Sequence, residues 1–174
     1  MKKYINLLIL ITLLSIVSPI FSADEIINTI KNDEMKKLEP FVGKWKTLSV
    51  YQKTGLKAPG ILEYRWILGK TWMFIEFIGK HPKKKFWGAY GFFRYDTKKK
   101  CYISYDIFDE NEPTFTTGYW LNTKTLRFED NKNKKVWGID YTLTDKGSIY
   151  QENWVKNKEN KRIVTLKTTY TRIR

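Results

Sequence analysis

The spacing of hydrophobic positions changes twice along the chain. Residues 5–20 form an almost unbroken apolar run, and residues 24–38 place apolar side chains at helical intervals among charges. From Lys44 onward apolar and polar residues alternate, aromatic and β-branched residues are frequent, and turn signals recur about every eight to twelve residues. The pattern predicts an N-terminal leader, then a short amphipathic helix over Asp24–Leu38 that ends before Pro40 and covers one end of the fold, and finally an all-β domain.

The alternating region divides into ten predicted strands. They are Lys44–Gln52, Gly60–Leu68, Thr71–Gly79, Phe86–Tyr95, Cys101–Phe108, Thr114–Leu121, Leu126–Asp130, Val136–Thr144, Ser148–Val155 and Arg162–Arg172. The connections are too short for a crossover helix, so consecutive strands are expected to be antiparallel neighbours. Because closure removes free sheet edges, we predict a ten-stranded antiparallel up-and-down β-barrel, with a two-sheet sandwich as the alternative.

The N-terminal run has the features of an export signal. Lys2 and Lys3 precede the apolar residues, and the small residues Ser22 and Ala23 follow Pro19. This predicts a signal peptide over residues 1–22, cleaved after Ser22 or Ala23, and a single periplasmic or secreted domain over residues 23–174. An uncleaved membrane anchor is the alternative, and the run is shorter than the roughly 20 residues that a spanning helix needs.

Composition and charge narrow the classes of function. The chain has 174 residues, 42% of them hydrophobic, with 7 Trp, 11 Tyr and 10 Phe, which is enough for a packed core. Its net charge is +14, with lysines far in excess of arginines. Specific recognition of phosphates and bases favours the bidentate guanidinium, and an exported chain rarely meets nucleic acid. We therefore predict no nucleic-acid partner.

Few residues of the chain could carry catalysis or hold a metal. There is one cysteine, Cys101, and one histidine, His81, so an internal disulfide, a zinc cluster and a histidine-based triad are excluded. The carboxylates of Glu76, Asp106 and Glu152 are candidates for burial, which would raise their pKa values, but they form no set with a nucleophile and a base. We expect no enzymatic activity, no metal and no cofactor.

Several short motifs, taken in order, resemble known barrels. Gly43-Lys44-Trp45 resembles the Gly-x-Trp signature of lipocalins and the wider calycin barrels. The whole series resembles the secreted bacterial family called domain of unknown function 1579, over roughly Leu38 to Val155. Its further members are Trp66-Ile67-Leu68-Gly69-Lys70-Thr71-Trp72, Gly91-Phe92-Phe93-Arg94-Tyr95-Asp96, Asp109 and Gly118-Tyr119-Trp120. The family usually has two glycines and an arginine where this chain has Gly69-Lys70-Thr71. The resemblance implies a lipocalin-like barrel and no particular activity.

The predicted barrel suggests positions for a structural contact and for a binding site. If the first and last strands pair, Trp45 can lie under the guanidinium of Arg172 or Arg174 at the closed end. The more apolar phase of the strands supplies a candidate ligand-binding lining, for which plain core filling is the alternative: Tyr64, Trp66, Tyr90, Tyr105, Trp120, Tyr141 and Trp154. Counting loops from end to end puts the more basic loops at the open mouth, with a basic rim of Lys83, Lys84, Lys85, Lys134 and Lys135.

These features predict an exported carrier, monomeric or weakly dimeric, that binds a small hydrophobic or anionic amphiphilic ligand inside the barrel. The alternative is an interaction module that places its basic face on an anionic membrane surface or on a partner protein. A carrier needs an unfilled internal cavity, whereas a surface module can have a solid core.

Overall fold

The computed structural model describes residues 33–81, 87–108, 111–130 and 136–174, and for Asn111 the backbone alone. A four-residue helix, α1 (Asp33–Lys36), and a 3-10 turn (Glu39–Phe41) precede the sheet. The strands are β1 (Gly43–Tyr51), β2 (Lys57–Ile67), β3 (Trp72–Gly79), β4 (Trp87–Asp96), β5 (Cys101–Phe108), β6 (Asn111–Trp120), β7 (Thr125–Asp130), β8 (Trp137–Leu143), β9 (Ile149–Lys156) and β10 (Arg162–Arg172). The predicted signal peptide and most of the predicted helix lie outside the described residues.

The sheet closes on itself. Each strand pairs antiparallel with its neighbours in the chain, and β1 also pairs with β10, with Trp45 opposite Arg172 and Tyr51 opposite Leu166. The predicted ten-stranded up-and-down barrel is therefore confirmed, and the two-sheet alternative is excluded. In the part of the chain that the structure describes, no helix is both long and apolar enough to cross a membrane.

Two strands begin three residues earlier than the alternation predicts, and each early segment contains a proline. β2 begins at Lys57 rather than Gly60 and includes Pro59, while β6 begins at Asn111 rather than Thr114 and includes Pro113. Proline has no N–H to donate and usually marks a turn or a strand edge. The Pro59 carbonyl nevertheless accepts a hydrogen bond from the Lys80 backbone N–H at 2.9 Å, so the ladder continues through it.

The N-terminal segment covers one end of the barrel. Met35, Leu38 and Phe41 are buried and belong to the same core as Trp45, Tyr102, Leu126 and Phe128. The Trp45 indole N–H donates to the Phe41 carbonyl at 2.8 Å, which ties the 3-10 turn to β1. Leu38 and Trp45 are fully buried, so apolar side chains close this end of the barrel to water.

The covered end is also where the first and last strands are joined by side chains. The Arg172 guanidinium lies 4.2 Å from the centre of the Trp45 ring and donates to the carbonyls of Val42 at 2.6 Å and Pro40 at 2.9 Å. Gly43 has φ of 125°, and a Cβ there would lie 2.6 Å from Arg172 Nη1. The glycine of Gly43-Lys44-Trp45 is therefore required by both its backbone conformation and the arginine packed against it.

Candidate functional site

A cavity of about 170 Å³ lies inside the barrel, toward the end opposite to Leu38 and Phe41. Its wall is formed by side chains from nine strands, and most of them are apolar or aromatic. The apolar part of the wall consists of Leu62, Ile75, Phe77, Trp87, Ala89, Phe108, Trp137, Ile139 and Leu166. Because these residues alternate with outward-facing ones, the inner phase of the β-pattern builds the wall directly.

A smaller set of polar side chains interrupts the apolar wall. The hydroxyls of Thr47 on β1 and Thr114 on β6 are buried and have no hydrogen-bond partner in the described part of the chain. Ser49 and Thr168 bond to each other at 2.8 Å, and the Tyr170 hydroxyl donates to the Gln151 side-chain carbonyl. Unpaired buried hydroxyls are uncommon, because each loses its bonds to water on folding. These two hydroxyls are therefore available to bond to a polar group placed in the cavity.

Three tyrosines contribute further hydroxyls to the same wall. Tyr64, Tyr141 and Tyr170 are all buried, and burial raises the pKa of each, so the phenols stay neutral at physiological pH. Among the described residues, no group meets the Tyr64 hydroxyl with good hydrogen-bond geometry, although Tyr141 and Tyr170 lie close enough to interact with it electrostatically. These groups can donate or accept hydrogen bonds without bringing a charge into the cavity.

Asp106 is the one charged side chain among the described residues that line the cavity. It faces inward from β5, and Ser104 Oγ donates to its Oδ2 at 2.7 Å. Burial raises the pKa of this carboxyl to about 6, and the bond from Ser104 offsets part of that rise. Its neighbour across the ladder on β4 is Gly91, where a Cβ would lie 2.7 Å from Asp106 Oδ1. The glycine therefore leaves the room that the carboxyl occupies.

The structure brings some of the predicted lining residues to the cavity and others to the covered end. Tyr64 and Tyr141 line the cavity. Trp66 and Trp120 also face inward, but their indoles donate to Glu39 Oε2 at 2.9 Å and to the Tyr102 hydroxyl at 3.0 Å, near the N-terminal segment. They fill the covered end rather than the cavity, so both are core residues and not part of the ligand-binding lining.

Two other predicted lining residues, Tyr90 and Tyr105, project to the outer face. Tyr90 borders the cavity, but its ring is 49% exposed and stacks on Phe74 with a centroid separation of 5.7 Å. Tyr105 is exposed, and its neighbour in the sequence, Asp106, is the residue that faces inward. This corrects the predicted phase of β4 and β5, because a strand with bulky side chains on both faces has no preferred inner face in its sequence.

Trp154 lies outside the cavity although it is only 2% exposed. Its ring packs between the guanidinium groups of Arg127, 5.0 Å from the ring centre, and Arg162, 5.5 Å away, and its N–H donates to Asp140 at 3.1 Å. The long arginine side chains bury it from the outside. This is the second correction to the predicted lining: on β9 the cavity is lined by Gln151 and Asn153 instead.

The remaining predicted site residues divide in the same way. Trp45 and Arg172 make the contact described above, whereas the basic rim of Lys83, Lys84, Lys85, Lys134 and Lys135 lies outside the described residues. Sequence reasoning placed Asp106 among the candidate buried carboxylates but not in the site, and it missed Thr47 and Thr114. The available signal was the inner phase of β1, where Trp45 is followed at intervals of two by Thr47 and Ser49.

Comparisons with known proteins identify the fold. No family model matches the chain, and no curated protein matches it, so membership of the family called domain of unknown function 1579 stays a prediction. Among solved structures, the chain is similar to Rv2717c from M. tuberculosis, with a TM-score of 0.61 and 12% identity over 82% of this chain and 99% of that one. It is also similar to the S-type phycobiliprotein lyase CPES from Guillardia theta, with a TM-score of 0.56 and 10% identity over 88% of this chain and 98% of that one. Both are lipocalin-like barrels, so the chain has a lipocalin-like, calycin-type fold.

Proposed function

We propose that this protein binds a small, mostly apolar molecule inside its barrel. The observation that carries the proposal is the internal cavity of about 170 Å³ with an apolar and aromatic wall and a few inward-facing polar groups. Ligand sites in proteins commonly combine these two features. An apolar cavity of about 150 Å³ accepts benzene, so a molecule with one ring, or a short aliphatic chain, matches the space.

The proposal keeps the predicted carrier role and refines the choice of ligand. The lipocalin-like fold supports binding inside the barrel, and the predicted signal peptide would place the carrier in the periplasm or outside the cell. An anionic headgroup would need basic residues outside this wall, such as those of the predicted rim, because the described cavity wall includes no Lys or Arg. We therefore favour a hydrophobic ligand over an anionic amphiphile, and binding over catalysis.

Binding in the cavity can be tested with benzyl alcohol as a neutral probe and two matched substitutions on β10. Thr168 lines the cavity and Thr169, the next residue, is exposed on the outer face. Thr168→Phe places a ring in the cavity, whereas Thr169→Phe adds the same ring outside. In two-dimensional NMR titrations we expect saturable shifts of cavity residues for the unchanged protein and for Thr169→Phe, and at least a tenfold weaker affinity for Thr168→Phe.

The control for this experiment is the fold of both variants, checked by circular dichroism and by urea unfolding. Thr168→Phe also removes the hydroxyl that bonds to Ser49, so a loss of about 1–3 kcal/mol of stability is expected for that variant alone. The proposal fails if benzyl alcohol produces no saturable shifts, or if a folded Thr168→Phe variant binds it as well as the unchanged protein does.

The alternative, an interaction module that binds an anionic surface, can be tested by changing the charge of the protein and leaving the cavity intact. The net charge of +14 supports association with an anionic surface. A triple variant, Lys83→Glu, Lys84→Glu and Lys85→Glu, should abolish binding to vesicles that contain phosphatidylglycerol if that alternative holds. The same variant should leave the affinity for benzyl alcohol unchanged if the carrier proposal holds.

A further inference from the structure

The geometry of the cavity points to a ligand class, an inference that rests on the proposed function. We propose that the cavity selects a small organic cation: a protonated amine on an apolar body about the size of one ring, with its nitrogen against the Asp106 carboxylate.

The first support for an amine is the incomplete set of partners around Asp106. Ser104 supplies one hydrogen bond, to Oδ2, and no Lys or Arg of the described chain forms an ion pair with the carboxylate. A buried carboxylate that has no cation is costly, because it has lost its hydration shell. An ammonium group would provide both the opposite charge and strong hydrogen-bond donors at 2.7–2.9 Å.

The second support is the arrangement of hydroxyl groups around the carboxylate. Thr114, whose hydroxyl has no described partner, is the ladder neighbour of Asp106 on β6. Tyr64 and Tyr141 interact electrostatically with Asp106 from β2 and β8, so their phenols lie in the same part of the cavity. An ammonium has three donors, and one carboxylate with two or more neutral hydroxyl oxygens can accept all three. Neutral aromatic rings also attract a cation through their faces.

The third support is what the cavity would reject. A carboxylate or phosphate in this space would face the charge of Asp106, and no cation of the described wall would offset the repulsion. A neutral alcohol could bond to the hydroxyls but would leave the carboxylate without a counter-charge. The expected order of affinity at neutral pH is therefore amine, then alcohol, then carboxylic acid anion.

The same carboxyl makes amine binding dependent on pH. Burial raises the pKa of Asp106 to about 6, so the group is mostly ionised at pH 7.5 and mostly protonated at pH 5.0. The other titratable groups that face it are Tyr64 on β2 and Tyr141 on β8, with Tyr170 on β10 beside them, and all three stay neutral across this interval. Its hydrogen-bond partner Ser104 and its ladder neighbours Thr114 and Gly91 do not titrate. Amine affinity should therefore fall as the pH falls from 7.5 to 5.0.

Among the described residues, His81 is a further ionisable side chain beside the cavity wall. Its ring lies 6.2 Å from that of Trp87, which lines the cavity, and 6.2 Å from that of Tyr51. The variant His81→Gln removes the imidazole and keeps a polar side chain, so it separates any effect of His81 from that of Asp106.

The test uses three probes of one size and shape: benzylamine, benzyl alcohol and benzoate. Benzylamine stays protonated at both pH 7.5 and pH 5.0. We expect benzylamine to bind at least tenfold more tightly than benzyl alcohol at pH 7.5, with benzoate weakest, and to lose about tenfold in affinity at pH 5.0. Asp106→Asn, which has the same shape and can still accept from Ser104, should lose the preference for benzylamine and keep its affinity for benzyl alcohol within twofold.

Glu76→Gln is the matched control, because Glu76 lies on β3 outside the cavity lining and the substitution removes the same charge. It should leave all three affinities unchanged, and His81→Gln should keep the pH dependence. The amine inference is overturned if benzyl alcohol binds and benzylamine binds no better, if Asp106→Asn weakens both probes equally, or if His81→Gln abolishes the pH dependence. If none of the three probes binds, the proposed function fails as well.

Discussion

Two aspartates of the barrel have opposite environments on opposite faces of the sheet. Asp106 faces the cavity, where burial raises the pKa of its carboxyl to about 6. Asp140 faces outward and accepts two hydrogen bonds of 2.7 Å from Arg127 and one from the Trp154 indole. It also forms an ion pair with Arg162 at 3.1 Å. Burial opposes ionisation of Asp140 too, but these partners outweigh it and hold its pKa below the ordinary value. The folded protein thus supplies Asp140 with cationic partners, whereas it supplies Asp106 with the Ser104 hydroxyl and no described cation.

The stability of the free protein should show the isolation of Asp106. Its carboxyl has a pKa near 3.8 when unfolded and about 6 when folded, so the folded state holds the proton more tightly, and this contribution to stability is lost as the pH rises through 6. A difference of this size corresponds to about 3 kcal/mol. We expect Asp106→Asn to be more stable than the unchanged protein by about that amount at pH 7.5, and equally stable at pH 3.5, measured by urea unfolding. Equal unfolding midpoints at pH 7.5 would show that the carboxylate already has a partner.

At the scale of elements, the N-terminal segment stabilises the barrel from the end that does not hold the cavity. Leu38 is fully buried in this segment, while Leu68, in the β2–β3 connection, is 72% exposed. Leu38→Ala should therefore cost about 2–5 kcal/mol of stability, because it leaves a cavity in a packed core, and Leu68→Ala less than about 0.5 kcal/mol.

The same pair of variants separates stability from binding. Since Leu38 does not line the ligand cavity, Leu38→Ala should keep its affinity for benzyl alcohol under conditions where it is still folded. Thermal unfolding and the NMR titration measure the two effects. If Leu38→Ala were as stable as Leu68→Ala, the packing of the N-terminal segment would contribute little to the stability of the barrel.

The alternation of the sequence was sufficient to find every strand and the closed antiparallel order, because period two and short turns restrict the topology strongly. It misplaced the starts of β2 and β6, because Pro59 and Pro113 are turn signals in the local sequence. The pairing with neighbouring strands that extends β2 and β6 through these prolines is visible only in the assembled sheet. It also could not place the lining. Trp154 is buried on the outer face by arginines from other strands, which its own strand does not reveal. On β10 the register shifts between Val164 and Leu166, so the alternate set of residues that faces inward changes at that point.

Candidate chemistry was harder to predict than the fold for a related reason. Asp106 and Tyr105 are adjacent in the sequence, and either could face inward; the register of β5 with Gly91 on β4 and Thr114 on β6 decides between them. A charged residue facing inward contradicts the usual preference for apolar interiors, so pattern analysis favours the tyrosine. Sites of this kind are found where local preference and the assembled fold disagree.

At the scale of the whole molecule, the pairing of β1 with β10 decides whether the sheet is a barrel at all. This pairing places Thr168 and Tyr170 in the cavity wall and Arg172 over Trp45, so closure, cavity and covered end depend on the same seven residues at the C-terminal end of the described chain. Without them, β1 would lose its partners from Trp45 to Ser49 and β9 would lose those from Ile149 to Gln151, and one side of the cavity would be open to water.

Removing residues 168–174 should therefore abolish cooperative unfolding and benzyl alcohol binding together, and the exposed edges should promote aggregation. Removing Arg174 alone is the control, because the described contacts of the last strand end with the bond from the Ile173 N–H to the Lys44 carbonyl at 2.9 Å. That shorter deletion should change the unfolding midpoint little and leave binding intact. Circular dichroism during urea unfolding, with size-exclusion chromatography, measures both outcomes. If the longer deletion still unfolded in one cooperative transition, the first six residues of β10 would suffice to hold the core, and the cavity would not depend on full closure.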